Sequence, residues 1–345
     1  MISLPIIDAG PQRPVFANGP RSLASVKLLR LSITDRCNLR CVYCMPDDGV
    51  QWMAAQPDLL TPADFQAVSE VAASLGITHF KITGGEPTVR SDLVEIVKRI
   101  RAIPGVRDLS LTTNGILFDR YAVPLKEAGL DRVTFSIDSL KPDRFATITR
   151  GGKIEQFWAG MHAAEQAGYT RTKINVVMMA GMNDDEVADF ARLTLDHDWT
   201  VRFIEYMPLG ESGITASADP DAAIVDNQVL MARLGDAFGP LQAVDRATEV
   251  GVGPAHVYRV PGGVGRLGFI SAMSQPFCET CNRLRLTAIG ELRSCLFDGG
   301  EIDLRPALRP KPDKQQLAGL FEQCATFKPE THSHHGNRAM SQLGG

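Results

Sequence analysis

The sequence predicts an α/β protein, an incomplete (β/α)6 barrel of the TIM type followed by a C-terminal α+β extension. Short β-rich runs alternate about six times with longer helix-compatible stretches, which is typical of parallel βαβ units. A chain of 345 residues with 44% hydrophobic content can form a large core. Cysteine and glycine motifs follow the predicted strands. An open doubly wound sheet is the alternative that the same alternation allows.

The predicted strands are short, rich in β-branched and aromatic residues, and bounded by turn residues. They cover residues 28–33, 79–82, 109–112, 133–137, 173–178 and 201–206. Helices are predicted over 61–75, 91–100 and 183–196, and the first opens with the capping residue Thr61 followed by Pro62. We divide the chain into an N-terminal extension (1–26), the partial barrel (27–245) and a C-terminal region (246–345). Either architecture puts a ligand site at the carboxyl ends of the strands.

Three cysteines within eight residues, Cys37, Cys41 and Cys44, follow the first predicted strand. Their C-x3-C-x2-C spacing allows three thiolates to bind three irons of a 4Fe-4S cluster, and the stretch offers no fourth protein ligand. One iron would stay open, as in metal sites that carry out chemistry. A zinc site with a distant fourth ligand, or three unrelated core thiols, are the alternatives.

A second group of three cysteines, Cys278, Cys281 and Cys295, lies near the C-terminus. It again lacks a nearby fourth cysteine, which predicts a second cluster with an open iron. The spacing supports a Cys3His zinc site equally well, because His332, His334 or His335 could supply the fourth ligand. The remaining thiol, Cys324, is interpreted as a small buried side chain.

The composition limits the classes of binding partner and the cellular location that we expect. The formal net charge of -4 gives no general attraction to nucleic acid or to an anionic membrane. The sequence has no apolar run long enough to span a membrane and no secretory signal at its start, so we expect a cytoplasmic protein. Seven cysteines in such a protein favour metal ligation over disulfides.

The cysteine loop with Tyr43 before its last cysteine, together with Gly84-Gly85-Glu86-Pro87, resembles the radical S-adenosylmethionine (SAM) superfamily. That resemblance implies that SAM binds the open iron and is cleaved to a 5'-deoxyadenosyl radical. Within the superfamily, residues 28–345 resemble the GTP 3',8-cyclase family of molybdenum cofactor biosynthesis. The similarity rests on the C-x2-C pair with a third cysteine after thirteen residues, the run at 282–287, and the terminal Gly-Gly.

The resemblance implies that GTP binds between the barrel and the second cluster, and that loss of the ribose 3' hydrogen leads to 3',8-cyclo-7,8-dihydro-GTP. No acid or base is assigned. The implied SAM contacts are Tyr43, Gly85, Ser136 and Met207. The implied GTP contacts are Arg30, Lys81, Thr112, Lys173, Arg283, Leu284 and Arg285. A triphosphate needs such cations, and alternation with leucines would present Arg283 and Arg285 on one face of a strand.

The family also implies two 4Fe-4S clusters, a reductant of the flavodoxin or ferredoxin type, and a downstream cyclic pyranopterin monophosphate synthase. Its Gly344-Gly345 tail is expected to enter the active site, although a Gly pair at a chain end also fits a mobile terminus. A radical SAM enzyme that modifies peptides, or a zinc-stabilised binding protein, are the alternative functions. The oligomeric state stays open, with a homodimer among the alternatives.

Overall fold

One twelve-stranded sheet organises the fold. The computed structural model describes residues 19, 21–46, 59–215, 217–297, 301–333, 336, 338 and 340–343. In that part of the chain the strands are β1 (Leu28–Ser32), β2 (His79–Thr83), β3 (Asp108–Thr113), β4 (Arg132–Ser136), β5 (Lys173–Met178), β6 (Thr200–Glu205), β7 (Gln242–Ala243), β8 (His256–Arg259), β9 (Arg266–Ile270), β10 (Arg283–Leu286), β11 (Glu291–Arg293) and β12 (Ile302–Asp303). The helices are α1 (Pro62–Ser74), α2 (Leu93–Arg101), α3 (Ala122–Glu127), α4 (Pro142–Thr149), α5 (Ile154–Gln166), α6 (Val187–Asp196), α7 (Asn227–Phe238), α8 (Arg305–Leu308), α9 (Lys314–Thr326) and α10 (Met340–Leu343).

The six strands of the predicted barrel are confirmed, each within one residue at either end. β1 to β6 are parallel neighbours in sequence order, and at least one helix separates each consecutive pair. The two edge strands, β12 and β7, lie at opposite ends of the strand order, so the sheet is open. The prediction of an incomplete (β/α)6 barrel with a C-terminal extension is therefore confirmed.

The C-terminal extension joins the same sheet at both edges. β9 pairs in parallel with β6, and β10 pairs in parallel with β1. The antiparallel strands β7 and β8 continue the β9 edge, and β11 and β12 continue the β10 edge. The segments that follow residue 245, together with β7 just before it, are thus built onto the barrel, and the boundary itself stays a prediction.

The two faces of the parallel strands differ in chemistry because side chains alternate along a strand. One face packs on the helices through fully buried apolar side chains, each of which stabilises the fold by roughly 1.5–3 kcal/mol. On β1 to β6 these are Leu29, Leu31, Phe80, Ile82, Leu109, Leu111, Val133, Phe135, Ile174, Val176, Val201 and Phe203. The opposite face is largely polar and lines the interior of the barrel.

Helix starts follow the predicted pattern with two shifts. Thr61 caps α1 in a reciprocal capping box with Asp64, as expected. α2 begins at Leu93 instead of residue 91, and α6 begins at Val187 instead of residue 183. The second shift has a clear cause, because the Asn183 amide donates to the carbonyls of Asp138 and Val177 instead of capping the helix. Of the helices described, none is both long and apolar enough to cross a membrane.

Candidate functional site

The first cysteine loop lies at the carboxyl end of β1. Its three thiols are close enough to act on one another electrostatically, since Cys44 and Cys37 both contribute to the raised pKa of Cys41 after the larger effect of burial. Burial, followed by the charge of Glu86, raises the pKa of Cys37 to about 12. Iron would remove this cost, because a coordinating thiol is deprotonated by the metal.

The glycine pair after β2 packs against the backbone that leads into this loop. A side-chain Cβ on Gly85 would lie 2.6 Å from the carbonyl oxygen of Asp35 and would also clash with that of Arg36. Gly84 faces the Thr34 carbonyl in the same way, and its φ of 153° disfavours other residues. The glycines are therefore required for close approach of two protein segments, which positions the cysteine loop on β2.

Glu86, next to the glycines, ties the ends of β2 and β3 to the cysteine loop. Its buried carboxylate accepts hydrogen bonds from the Thr113 hydroxyl at 2.7 Å and from the Asn114 amide N–H at 2.7 Å. The Asn114 side chain donates in turn to Asn38 at 2.8 Å, within the loop. This network fixes the loop from two strands.

Tyr43 reaches from the same loop to the far strands. Its hydroxyl donates to Oδ2 of Asp138 at 2.9 Å, while Oδ1 of Asp138 accepts from the Val177 amide at 2.8 Å. Burial raises the pKa of Asp138 to about 6. The four residues implied for SAM, namely Tyr43, Gly85, Ser136 and Met207, thus lie at or just beyond the carboxyl ends of β1, β2, β4 and β6.

A cavity inside the barrel collects the predicted cations. Its lining contains eight Lys and Arg side chains and two carboxylates. The two carboxylates, Asp108 and Glu249, already have arginine partners in Arg132 and Arg266. Five of the cations were predicted from sequence and are brought together as expected: Arg30, Lys81, Lys173, Arg283 and Arg285. Thr112 also lines the cavity.

The cavity cations weaken one another's protonation. Burial, then Arg202 and Arg132, lower the pKa of Lys173 to about 7. Burial, then Arg283, lower the pKa of Arg285 to about 9. The pKa values of Arg30 and Lys81 are lowered for the same two reasons, burial and neighbouring positive charge. A multiply charged anion in this cavity would relieve both effects.

Three cavity cations were missed by the sequence analysis: Arg132, Arg202 and Arg246. Arg202 is the most informative, because its Nε and the Oδ1 of nearby Asn175 are buried without a hydrogen-bond partner in the described residues. Such orphaned polar atoms point to a polar ligand. The signal was available, since Arg202 alternates with the buried apolar residues Val201 and Phe203 on β6 and so must face the barrel interior.

The second cysteine group lines the same cavity. Cys278 begins a short 3-10 turn just before β10, Cys281 directly follows that turn, and Cys295 follows β11. Burial acts to raise the pKa of Cys281, but the cations of Arg283 and Lys328 outweigh it and lower that pKa to about 6. This thiol is thus prepared to act as a thiolate ligand.

The position of β10 settles the orientation of its side chains. Arg283 and Arg285 face the cavity together, as predicted from their alternation. Leu284 is 0% exposed, and its side chain packs in the hydrophobic core, so only its backbone could reach a ligand in the cavity. Gly344 and Gly345 lie outside the described residues.

Comparison with known proteins identifies the family. The Radical SAM superfamily model matches residues 31–194, and the Molybdenum Cofactor Synthesis C model matches residues 199–334. A GTP 3',8-cyclase from Heliobacterium modesticaldum is 46% identical over 93% of this chain and 98% of its own length. One from Moorella thermoacetica is also 46% identical, with the same coverage. The chain belongs to the GTP 3',8-cyclase family.

Solved structures support the fold of this GTP 3',8-cyclase family member. The crystal structure of Streptococcus suis SuiB bound to the precursor peptide SuiA matches with a TM-score of 0.57, covering 93% of this chain and 77% of that one. The sequence identity is 14%, so the likeness concerns the radical SAM fold alone.

The cofactors of the GTP 3',8-cyclase family are 4Fe-4S clusters and SAM, and both cysteine groups fit the clusters. None of the six thiols is in a disulfide, all six are half-buried, and each group adjoins the carboxyl end of a strand or the cavity. Among the residues that the structure describes, no three His, Cys, Asp or Glu side chains converge on one point as ligands of a single metal ion. A cubane asks for a different arrangement, because each thiolate binds its own iron.

The histidine needed by the zinc alternative is otherwise engaged. Both ring nitrogens of His332 face carbonyl oxygens, Nε2 at 2.8 Å from Ala272 and Nδ1 at 2.7 Å from Ser333. The ring also stacks on Phe297 with 4.0 Å between centroids. His332 is therefore held by backbone and aromatic contacts, whereas His334 and His335 lie outside the described residues.

Proposed function

We propose that this protein converts GTP to (8S)-3',8-cyclo-7,8-dihydroguanosine 5'-triphosphate, the first step of molybdenum cofactor biosynthesis. The observation that carries this proposal is the cationic cavity, which the second cysteine group lines and in which Nε of Arg202 has no hydrogen-bond partner among the described residues. Family membership supports the same conclusion, since the relatives are GTP 3',8-cyclases over nearly their whole length.

The cavity residues would bind the triphosphate by charge. Arg30, Lys81, Lys173 and Arg202 project from β1, β2, β5 and β6, and Arg285 projects from β10. Arginine suits this role because its planar fork can bond two phosphate oxygens. The Lys81 ammonium and the Arg202 guanidinium both approach the Thr134 hydroxyl, at 3.3 and 3.5 Å, so the curved sheet brings β2 and β6 towards one point.

The cysteine loop would supply the radical chemistry. When bound, the first cluster and SAM supply the 5'-deoxyadenosyl radical that takes the ribose 3' hydrogen. Tyr43, Gly85, Ser136 and Met207 would surround SAM, and Met207 also lines the cavity, which supports an arrangement in which SAM and GTP meet there. Because an alkyl radical reacts with the nearest hydrogen, the task of these residues is to position the substrate and exclude water.

The second cysteine group would hold the second cluster in the cavity that would bind GTP. Arg283 and Arg285 follow it on β10, so the ligands of the metal and the ligands of the phosphates share one short segment. We assign the ordering of GTP between the two clusters to this arrangement. The division of the chain at residues 26 and 245 is part of the same proposal.

The proposal also includes the electron donor of the protein and its location in the cell. Arg36 and Arg40 are exposed and flank the half-buried Cys37, which suits an acidic donor of the flavodoxin or ferredoxin type. The product would pass to a cyclic pyranopterin monophosphate synthase. None of the seven cysteines is in a disulfide, which supports a reducing, cytoplasmic location.

The test is anaerobic incubation of the reconstituted protein with SAM, dithionite and GTP, with 5'-deoxyadenosine and the cyclised nucleotide measured by mass spectrometry. Both products should form in equal amounts. Cys37→Ala should abolish both, whereas the matched variant Cys324→Ala, in α9, should retain both. Cleavage of SAM without consumption of GTP would show that the substrate is wrong and would favour a peptide substrate. A colourless protein without iron would favour the zinc alternative.

A further inference from the structure

Lys328 is a buried cation in contact with the second cysteine group. It lies just beyond the end of α9 and is 3% exposed. Its ammonium donates to the carbonyl oxygen of Arg283 at 2.6 Å, to that of Cys281 at 3.2 Å and to the Cys281 Sγ at 3.5 Å. A lysine ammonium has three donors. All three are used on the segment that carries one thiol and the first cation of β10.

Phe327, the residue before Lys328, contacts the segment that carries the third thiol of the second cysteine group. The Ser294 hydroxyl, next to Cys295, donates to the Phe327 carbonyl at 3.1 Å. Residues 327 and 328 thus link the loop before β10 with the loop after β11. The end of α9 holds together the two segments that supply all three thiols.

The charge of Lys328 is directed at the thiol. Within the described ranges, no carboxylate is found among the ammonium's hydrogen-bond partners, which are two carbonyls and one sulfur. A cluster held by thiolates gains a negative charge on reduction, and nearby hydrogen bonds and charge set its reduction potential. A buried cation at this distance therefore stabilises the reduced form more than the oxidised one.

We propose that Lys328 is a positioning residue of the second iron-sulfur cluster, whose ammonium holds the Cys281 ligand in place and favours the reduced cluster. No local motif marks Lys328 in the sequence, since it lies far along the chain from Cys281. The inference rests on the proposed function in one respect, namely that the second cysteine group holds a cluster.

A purely structural lysine would behave differently. If Lys328 only joined α9 to β10, a neutral side chain that keeps some hydrogen bonds would leave the potential unchanged. Lys328→Met removes the charge and the hydrogen bonds, Lys328→Gln removes the charge and keeps up to two N–H donors, and Lys328→Arg keeps the charge. The matched control is Lys314→Met at the start of α9, because the Lys314 ammonium is bonded to the Glu70 carboxylate.

The experiment uses the full chain with Cys37, Cys41 and Cys44 all changed to alanine, so that only the second cluster is present. After anaerobic reconstitution, we would measure the midpoint potential by electron paramagnetic resonance during a redox titration, and the iron affinity by competition with a chelator. Lys328→Met and Lys328→Gln should shift the potential to more negative values and lower the iron affinity roughly tenfold or more, as for other residues that orient metal ligands.

Lys328→Arg and Lys314→Met should match the parent in both measurements. Equal potentials and affinities in the parent and in Lys328→Gln would overturn the role of Lys328 while leaving the second cluster in place. Lys328→Gln carries this decision if Lys328→Met does not fold. A parent that binds no iron would instead refute the second cluster itself, and the role of Lys328 with it.

Discussion

Arg285 lies directly opposite Arg30 where β10 pairs in parallel with β1. This register places a cation from the C-terminal region beside one from the first barrel strand, and both line the same cavity. Cys281 precedes β10 by two residues, so the strand that brings the second cysteine group to the barrel also brings its cations. One site is thereby built from distant parts of the chain.

The first prediction concerns Arg285. Arg285→Met should raise the KM for GTP roughly 10- to 100-fold, because a hydrogen bond to a charged group contributes about 1.5–3 kcal/mol. The KM for SAM should stay unchanged, since Arg285 lies on the cavity and not in the cysteine loop. Steady-state assays of 5'-deoxyadenosine formation with either substrate varied would measure both constants.

The matched control for Arg285 is Arg192→Met. Arg192 lies on α6, is exposed, and pairs with Asp189. Its loss should leave both KM values as they are. An Arg285→Met enzyme with an unchanged KM for GTP would contradict the placement of the triphosphate in this cavity.

The second prediction is a proton taken up on GTP binding. Burial and then neighbouring arginines lower the pKa of Lys173 from its ordinary 10.5 to about 7, so at pH 8 the amine is mostly neutral in the free protein. A bound triphosphate would restore its charge. Binding at pH 8 should therefore consume close to one proton, and the affinity should fall as the pH rises from 7 to about 9. Titration calorimetry in buffers of different ionisation enthalpy would count the proton.

The same shift has a consequence for stability. Because the folded pKa of Lys173 lies below the unfolded one, the unfolded chain binds more protons between pH 7 and 10.5. The contribution of Lys173 to stability thus rises with pH through that window and is unfavourable below it. Lys173→Gln should remove both the proton uptake and this pH dependence. Identical uptake by Lys173→Gln and the native protein would show that another group is responsible.

The barrel was predictable because its strands are short β-rich runs separated by longer helical segments. The local pattern identifies β1 to β6 through residues such as Leu29 and Val201, which alternate with cavity residues. The edges were not predictable in this way. β9 and β10 attach to β6 and β1 by pairing between distant segments, and no local pattern specifies which strands will be neighbours.

The candidate site likewise contains residues that local sequence motifs identify and residues that only the folded chain brings together. Cysteine spacing indicates both groups of candidate metal ligands from the sequence, because the thiols of each group lie close in the chain, whereas the preference for a cluster over zinc at the second group follows from the family resemblance. Arg246 and Lys328 contact the site from remote segments. Neither lies in a strand, so no alternation of polar and apolar residues indicates where its side chain points. Glu86 belongs to the glycine motif, but its role in tying Thr113 to the cysteine loop depends on the packing of two strands.

The third prediction concerns Gly85. Gly85→Ala should displace the cysteine loop, because its Cβ would meet the carbonyl oxygens of Asp35 and Arg36. We expect loss of iron from the first cluster, with the second cluster retained, so that iron per chain falls by about half. Iron analysis and Mössbauer spectroscopy after reconstitution would separate the two sites.

The control for this glycine is Gly235→Ala in α7, where a Cβ would have open space. Alanine should there stabilise the helix by about 1 kcal/mol and leave the iron content unchanged. Full iron content in Gly85→Ala would show that the first cysteine loop binds its cluster without a glycine at this position, and that the glycine pair does not position the loop.

The fourth prediction concerns the last two residues, Gly344 and Gly345. The chain just before them is fixed near the site: Gly336 bridges to Leu209, two residues after Met207, and the guanidinium of Arg338 pairs with Glu291. Leu343 is buried. Removal of the two glycines should lower turnover while the iron content and the free energy of unfolding stay unchanged, because only residues beyond the anchored segment are lost.

Gly344 and Gly345 reach only a short distance beyond the anchored segment, so any effect of removing them on turnover would be local. Two residues extend at most about 7 Å beyond Leu343, so the tail can act only at the place where the anchored residues leave it. A double variant with alanine at both positions tests whether the absence of side chains matters, and it should be impaired if the tail enters a narrow passage. Full activity in the truncated chain would show that the two glycines are not needed for turnover. In that case the contacts of Gly336 and Arg338 would stabilise the fold without guiding the tail.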